Sequence, residues 1–421
     1  MENSNTVAAV LPKEKSSGSC AKGKKKRGRS RRKTTLEAAK ASKAIYDWFY
    51  SEKCVSTKHP DDFAAEFPNI RGTVAFEFHC HSKFSDGFLS PSSLVAKAHS
   101  HGVKVLALTD HDTMAGIPEA VEASSKLGMK IIPGVEISTI FATPNSEESV
   151  HILAYYGRCG PTSFDELEDM LSSIRLGRYS RAKEMVLKLN KLKIPLKLEH
   201  VMRIAGKEVA PGRLHVARAL LEAGHVETLK QAFTKYLHDG GPAYCTGSEP
   251  TAEEAVKLTR RTGGVSVLAH PWGLKNASMV VKRLKEVGLD GVEVYRSDGK
   301  LNVYSDLAER YGLLKLGGSD FHGRGSNESE IGSVRVPVSD LHKFLLAGCP
   351  LWLASMKDIL TSCVENPCES NLRRITRFGI QKVKQENHNF FDYVASTWMT
   401  EEERQKEDIV AIRLKFSKMS L

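Results

Sequence analysis

A chain of 421 residues with 41% hydrophobic and 26% charged composition can bury a sizeable core and is long enough for two or three domains. No apolar run approaches the ~18 to 20 residues of a membrane-spanning helix, and the N-terminus lacks the apolar stretch of a secretory signal. The sequence therefore reads as intracellular, in nucleus or cytoplasm, with no membrane partner. The formal charge of +11 sits mostly in residues 1–35, where eleven Lys/Arg meet only Glu2 and Glu14, so the rest of the chain carries no electrostatic footprint of a DNA-binding domain. Eight cysteines without a C-x-x-C pair predict reduced thiols.

Residues 1–34 are rich in Ser, Gly and Lys and have no hydrophobic periodicity. Their dense centre, KGKKKRGRSRRK from Lys22 to Lys33, predicts a disordered basic arm: an import signal, a nucleic-acid contact or a solubilising tail. An amphipathic helix and a linker follow over 35–70. Then short β-type runs alternate with helical stretches. The strand candidates are VAFEFH (74–79), VKVLALTD (103–110), MKIIPGVEIS (129–138), VHILAYY (150–156), GVSVLAH (264–270), GVEVY (291–295) and LLKLGGSD (313–320). With helices between them, this is the α/β pattern of a parallel sheet or barrel, in two parts at 71–160 and 246–348. Residues 161–245 break the rhythm with successive 3.6-residue periodicities and read as an inserted small helical domain. Residues 349–421 form a C-terminal extension with no assigned role.

Nine residues capable of binding metal fall at or near the strand ends. His79 closes the first strand, and His81 and Asp86 follow it in FHCHSKFSDG; His111 closes the second in LTDHDT. Glu136 lies near the end of the third, His151 opens the fourth, His270 ends the fifth in LAHP, and Asp320 with His322 ends the last in GGSDFH. Active sites of parallel barrels form at the C-terminal strand face, a rule that His151, at a strand start, fits least well. Imidazole with carboxylate suits Zn, Mn or Fe, and nine ligands exceed the needs of one ion, so two or three divalent ions are expected, with Glu136 as the bridging carboxylate.

Through FHCHSKFSDG, LTDHDT, GVEIS, HILAYY, LAHP and GSDFH, residues 72–345 resemble the PHP (polymerase and histidinol phosphatase) superfamily. The resemblance implies a distorted seven-stranded (β/α) barrel and a trinuclear site. One ion would lie near His79, His81, Glu136 and Asp320, a second near Glu136, His151 and His270, and a third near Asp86, His111 and His322, with Mn expected ahead of Zn or Fe. The insertion, with GRYSRAKEM and PGRLHVARALLEAG, is similar to that of the stand-alone 3',5'-nucleoside bisphosphate phosphatases that also act as 5'-to-3' exonucleases. The implied function is a metal-dependent phosphoesterase acting on nucleoside 3',5'-bisphosphates or 5'-phosphorylated short RNA or DNA.

Metal-acidified hydroxide would be the nucleophile at neutral pH. Glu136, Asp320 and His111 are assigned to catalysis, and Arg178, Arg213 and His215 to substrate binding, since guanidinium grips phosphate bidentately. Asp110 or Asp112 is a candidate to orient a ligand imidazole, and Glu293 either supports a ligand or contacts substrate. Two other readings remain open: a histidinol-phosphate-type phosphomonoesterase, and a non-catalytic nucleic-acid-binding protein that uses the fold as a scaffold.

Overall fold

The computed structural model describes residues 24–50, 75–143, 146–206, 209–299, 303–325, 328–378, 391–392, 394–395 and 399–417. The first part of the expected basic arm, 1–23, and the expected linker from residue 51 lie outside the described residues. Helix α1 spans Lys24–Tyr50, so the backbone of 24–34 is helical where a structureless arm was expected. Lys and Arg are good helix formers, and composition alone did not place the helix start.

Seven strands form one sheet in chain order: β1 Phe76–Glu77, β2 Val105–Leu108, β3 Lys130–Thr143, β4 Ser146–Tyr155, β5 Val265–Leu268, β6 Gly291–Glu293 and β7 Leu314–Leu316. All seven expected strands are present. The expected parallel sheet is corrected to a mixed one, because β4 runs antiparallel to both β3 and β5. The cause is local: β3 continues to Thr143 and pairs directly with Ser146 at the start of β4. Two residues suffice for a hairpin, whereas a parallel return needs a dozen or more. Beyond their ends, β1 and β7 meet through the parallel bridge of Cys80 with Phe321, where His81 N donates to Phe321 O at 2.8 Å. The sheet thus curls into a distorted, incompletely closed barrel.

Strand alternation sorts side chains to two cores. Phe76, Phe78, Val105, Ala107, Ile132, Leu153, Tyr155, Val265, Val267 and Leu316 fill the interior. Leu106, Leu108, Ile131, Ile152, Ala154 and Leu268 pack outward against the helices. Among these helices are α2 (Pro91–Ser100) and α3 (Ile117–Leu127). Ser90 caps α2 by accepting from Ser93 N, with Pro91 at the first helical position.

The inserted region begins with α4, Phe164–Lys191, a rod of 28 residues. Its first half contributes Leu167, Leu171 and Ile174 to the outer core of the barrel. Its second half places Ala182, Met185, Val186 and Leu189 in a separate core shared with α5 (Leu198–Ala205), α6 (Arg213–Glu222) and α7 (Leu229–Ala232). The single periodic stretch of 213–237 is split into α6 and α7 near Gly224, whose φ of 74° is left-handed. Helix α8, Ala252–Arg261, returns the chain to β5 and opens on a capping box of Thr251 and Glu254.

The expected border at 348 falls inside a helix. After α9 (Ala277–Glu286) and α10 (Val303–Tyr311), helix α11 runs over Val338–Glu365 and carries Pro350 within it. Leu341, Phe344, Leu345 and Trp352 seal the barrel interior at the end opposite the candidate ligands, and Leu353, Met356, Ile359 and Leu360 continue into a core with Ile409 and Phe416. The expectation that nothing apolar enough to cross a membrane exists is also corrected here. By length and composition α11 passes that test, yet half of the apolar window is buried inside the fold, so packing accounts for its character.

Candidate metal centre

Alternation carries several candidates inward directly. The interior series of β2, Val105 and Ala107, leads to His111, that of β3, from Ile132, leads to Glu136, and that of β7 leads from Leu316 to Asp320. On β4 the same series, Leu153 and Tyr155, leads back to His151. Because β4 runs against its neighbours, its early residues lie level with their ends: His151 pairs with Ser138, and its carbonyl accepts from Ala269 N at 3.0 Å. The apparent exception at His151 is a consequence of the reversed strand.

His79, His81 and His270 break the alternation set by Phe76 and Phe78 and by Val265 and Val267, so the backbone must redirect them. His270 has φ of 28°, Asp320 of 52° and Asp112 of 55°, three of the four positive-φ non-glycine residues among those described. Such conformations cost on the order of 1–3 kcal/mol each and concentrate at functional sites. Gly318 permits a close approach, since a Cβ there would lie 2.4 Å from His79 Cβ.

All nine candidate ligands converge. Glu136 Oε2 stands 3.2 Å from both His79 Nε2 and His81 Nε2 and 3.1 Å from His111 Nδ1. Its Oε1 stands 2.9 Å from His151 Nδ1 and 3.0 Å from His270 Nε2. Asp320 Oδ1 lies 3.3 Å from His79 Nε2 and 3.2 Å from His81 Nε2, and Asp86 Oδ1 lies 3.2 Å from His322 Nε2. Donor atoms about 2.0–2.2 Å from a shared ion stand about 3–3.5 Å from one another, the spacing found here. Among the described residues, three groups have all donor atoms within 4.8 Å: His79, His81, Glu136 and Asp320; His81, Asp86, His111 and His322; and His111, Glu136 and His151.

The donor chemistry fits cations. His79 Nε2, both nitrogens of His81, Asp86 Oδ1, His111 Nδ1 and Glu136 Oε2 are buried without a hydrogen-bond partner, although nitrogen and oxygen are close. They aim at common points rather than at each other. His322 makes the reason explicit: its Nδ1 is 2.8 Å from the Asp320 carbonyl, which can only accept, so Nε2 is the atom turned to the Asp86 carboxylate, where a proton or a cation must stand between them. Burial opposes charge on His322, but Asp86 outweighs it and pushes the pKa up to about 10, a demand for positive charge between the two. Burial would likewise raise Asp320 and Asp86, yet the histidines hold both carboxyls far below the usual range.

Of the three acids expected to orient a ligand or, for Glu293, to contact substrate, only Glu293 reaches a ligand imidazole. Asp110 accepts from Ser82 and Ser85, and Asp112 accepts from Ser138 and from Arg178 Nε at 2.7 Å, so neither contacts an imidazole. That task falls to Glu293, buried, with Oε1 3.2 Å from His79 Nδ1 and Oε2 accepting from His270 N at 2.8 Å. Glu328, absent from the sequence reading, accepts from His322 N and Arg324 N.

Arg178 and His215 line one small cavity with Asp86, His111, Arg175, Phe84, Ser85 and Ala210. Asp112 and Ser138 hold Arg178 Nε and Nη2 in place. His215 Nδ1 accepts from Gly212 N, and burial lowers its pKa to about 4, leaving the ring neutral. Arg213 is placed elsewhere: it pairs with Asp239, lies 5.6 Å over Tyr244 and lines a different cavity of about 280 Å³. As the first residue of α6 it turns outward, whereas His215 turns in. Arg175, which donates to the Asp112 carbonyl, was missed, although the 175, 178, 181 spacing on α4 carries a signal at helical period.

A curled α/β barrel bearing a His/Asp/Glu cluster defines a metal-dependent phosphoesterase, and the comparisons agree. Over 257 residues the chain is 35% identical to a 5'-3' exoribonuclease of Haemophilus influenzae, covering 59% of this chain and 90% of that protein. It is 32% identical to a 3',5'-nucleoside bisphosphate phosphatase of Chromobacterium violaceum, covering 61% and 90%. A crystal structure from Bifidobacterium adolescentis, described as a metal-dependent phosphoesterase, superposes with a TM-score of 0.58 at 31% identity, covering 65% of this chain and 96% of that one. The PHP domain family matches residues 77–238, and this chain belongs to it. It is a hydrolytic enzyme. The relatives are bacterial enzymes, which fits the expected intracellular setting and lends no support to a nuclear one.

Proposed function

We propose that this phosphoesterase acts on nucleotides: nucleoside 3',5'-bisphosphates and 5'-phosphorylated short RNA or DNA, cleaved from the 5' end. The observation that carries the reading is the cavity in which Arg178 and His215, both from the helical insertion, face Asp86 and His111. Guanidinium beside a metal cluster suits a phosphate, and a neutral imidazole beside it adds a hydrogen bond without competing for the charge. The names of the compared relatives point to the same substrates. Residues 161–245 are accordingly the unit that selects substrate, and 71–160 with 246–348 the unit that holds metal.

His79, His81, Glu136 and Asp320 would hold one ion, Glu136, His151 and His270 a second, and Asp86, His111 and His322 a third, with manganese the expected metal. When bound, such ions acidify water and neutralise charge on phosphate oxygens. The protein's own contribution is placement. Glu136 is shared between groups, Asp320 and His111 complete the surface toward substrate, and Glu293 fixes the imidazole of His79 and the backbone of His270. Contact of nucleic acid with the basic arm belongs to this proposal too.

The test is metal analysis of purified protein together with rates on adenosine 3',5'-bisphosphate, a 5'-phosphorylated oligonucleotide and histidinol phosphate. Two or three ions per chain and preference for either nucleotide substrate are expected. Preference for histidinol phosphate overturns the substrate assignment.

A further inference from the structure

Between His81 and Asp86 the chain makes a tight turn whose tip is Phe84. The turn is pinned from several sides: Ser85 N and Gly87 N donate to Ser82 O at 3.1 and 2.9 Å, and Phe84 N donates to Ser82 Oγ at 3.2 Å. The hydroxyls of Ser82 and Ser85 donate to buried Asp110 at 2.6 and 2.7 Å. The backbone under Phe84 is therefore rigid. Its side chain is 36% exposed, whereas Phe76 and Phe78 on the preceding strand are at most 2% exposed. Among the described residues no ring or cation stacks on Phe84, yet the ring lines the same cavity as Asp86, His111, Arg175, Arg178 and His215.

We infer that Phe84 is a specificity-determining residue, the platform on which the first nucleobase of the substrate stacks; this rests on the nucleotide reading. A phosphate held between the cluster and Arg178 leaves the attached nucleoside at the mouth of the cavity, where Phe84 is the lining aromatic residue. An aromatic face beside cationic groups is how single-stranded nucleic acid is held without choice of base, since every base has a π-face. The surroundings suit a polyanion: Arg324 Nη2 stands 3.4 Å from Asp86, and Arg218 lies 4.3 Å over the Phe88 ring. A rigid turn presents the ring at low ordering cost. Phe84 thus adds affinity for any nucleobase and none for a bare sugar phosphate.

The test uses the full chain loaded with manganese and two 5'-phosphorylated oligonucleotides, identical except that one lacks the base on its first sugar. In wild type the base-bearing substrate is expected to be preferred in kcat/KM by roughly ten- to a hundredfold, the size of one stacked base. In Phe84→Ala that ratio collapses toward unity, and in Phe84→Trp it is retained or increased. Melting temperatures of the variants check the fold, and because the readout is a ratio, a general loss of activity does not mimic the effect. Cleavage of both substrates without preference, or a preference that survives Phe84→Ala, overturns the inference while leaving the nucleotide reading intact. Failure to cleave either, with histidinol phosphate turned over, overturns both.

Discussion

The two ends of the barrel are built to opposite rules. At the closed end, Phe78, Tyr155, Phe344 and Trp352 form a chain of edge-to-face contacts with ring centroids 5.2–5.9 Å apart. There the side chains satisfy one another. At the open end, buried nitrogen and oxygen atoms of His79, His81, Asp86, His111 and Glu136 are left without hydrogen bonds, and the neighbouring His270 and Asp320 sit on backbone bent into positive φ. Stability is concentrated in the first arrangement and withheld from the second, which is completed only by ligands from outside.

Substitutions that act on one end alone can break this contrast. The largest effect is expected for Glu136→Gln, which removes the carboxylate shared by the groups: kcat/KM falls at least about a thousandfold and bound metal per chain drops. Activity of wild type after chelation should return on adding manganese, whereas that of the variant should not. Next comes Phe344→Ala at the closed end, expected to lower unfolding free energy by about 3–5 kcal/mol in denaturant titrations, with activity per folded molecule retained. A comparable loss of turnover there would show that the ends are coupled. Glu293→Gln should weaken metal affinity or activity by about 10- to 100-fold, read by calorimetric titration, because His79 and His270 lose their common anchor. The smallest effect, on the order of tenfold in kcat/KM, is expected for Arg178→Lys, which keeps the charge and loses the fork that Asp112 and Ser138 hold.

The same contrast explains what was legible in the sequence. His111, Glu136 and Asp320 could be read because they continue an alternation that starts in the apolar core, and pattern carries that far. His79, His81 and His270 were found through their motifs, since their directions depend on local backbone geometry that no periodicity encodes. Glu293 was seen at its strand end but not assigned, because its partners lie 214 and 23 residues away in sequence. Asp112 was misassigned for the same reason: next to His111 in sequence, it faces Ser138 and Arg178 in space. The border at 348 was set where the strand-helix alternation stops, but the end of alternation is not the end of packing, and α11 continues across the barrel base.

One reversed strand has an architectural consequence. In an ordinary β/α unit a strand climbs to the catalytic rim, a helix descends, and the next strand climbs again. Here β4 already descends, so its end at Tyr155 lies beside the start of β5 at Val265 and a hairpin would suffice, yet the chain makes an additional climb and an additional descent. Helix α4 supplies the climb, about 42 Å of it at 1.5 Å per residue, far more than a four-residue strand spans, and α8 supplies the descent beside the bridge of Ile140 with Thr251. Everything between those helices is an excursion above the rim that the sheet's connectivity does not require. Because the reversed strand brings Tyr155 and Val265 together at its lower end, the cap over the reaction centre is a removable addition, and the barrel beneath is complete without it.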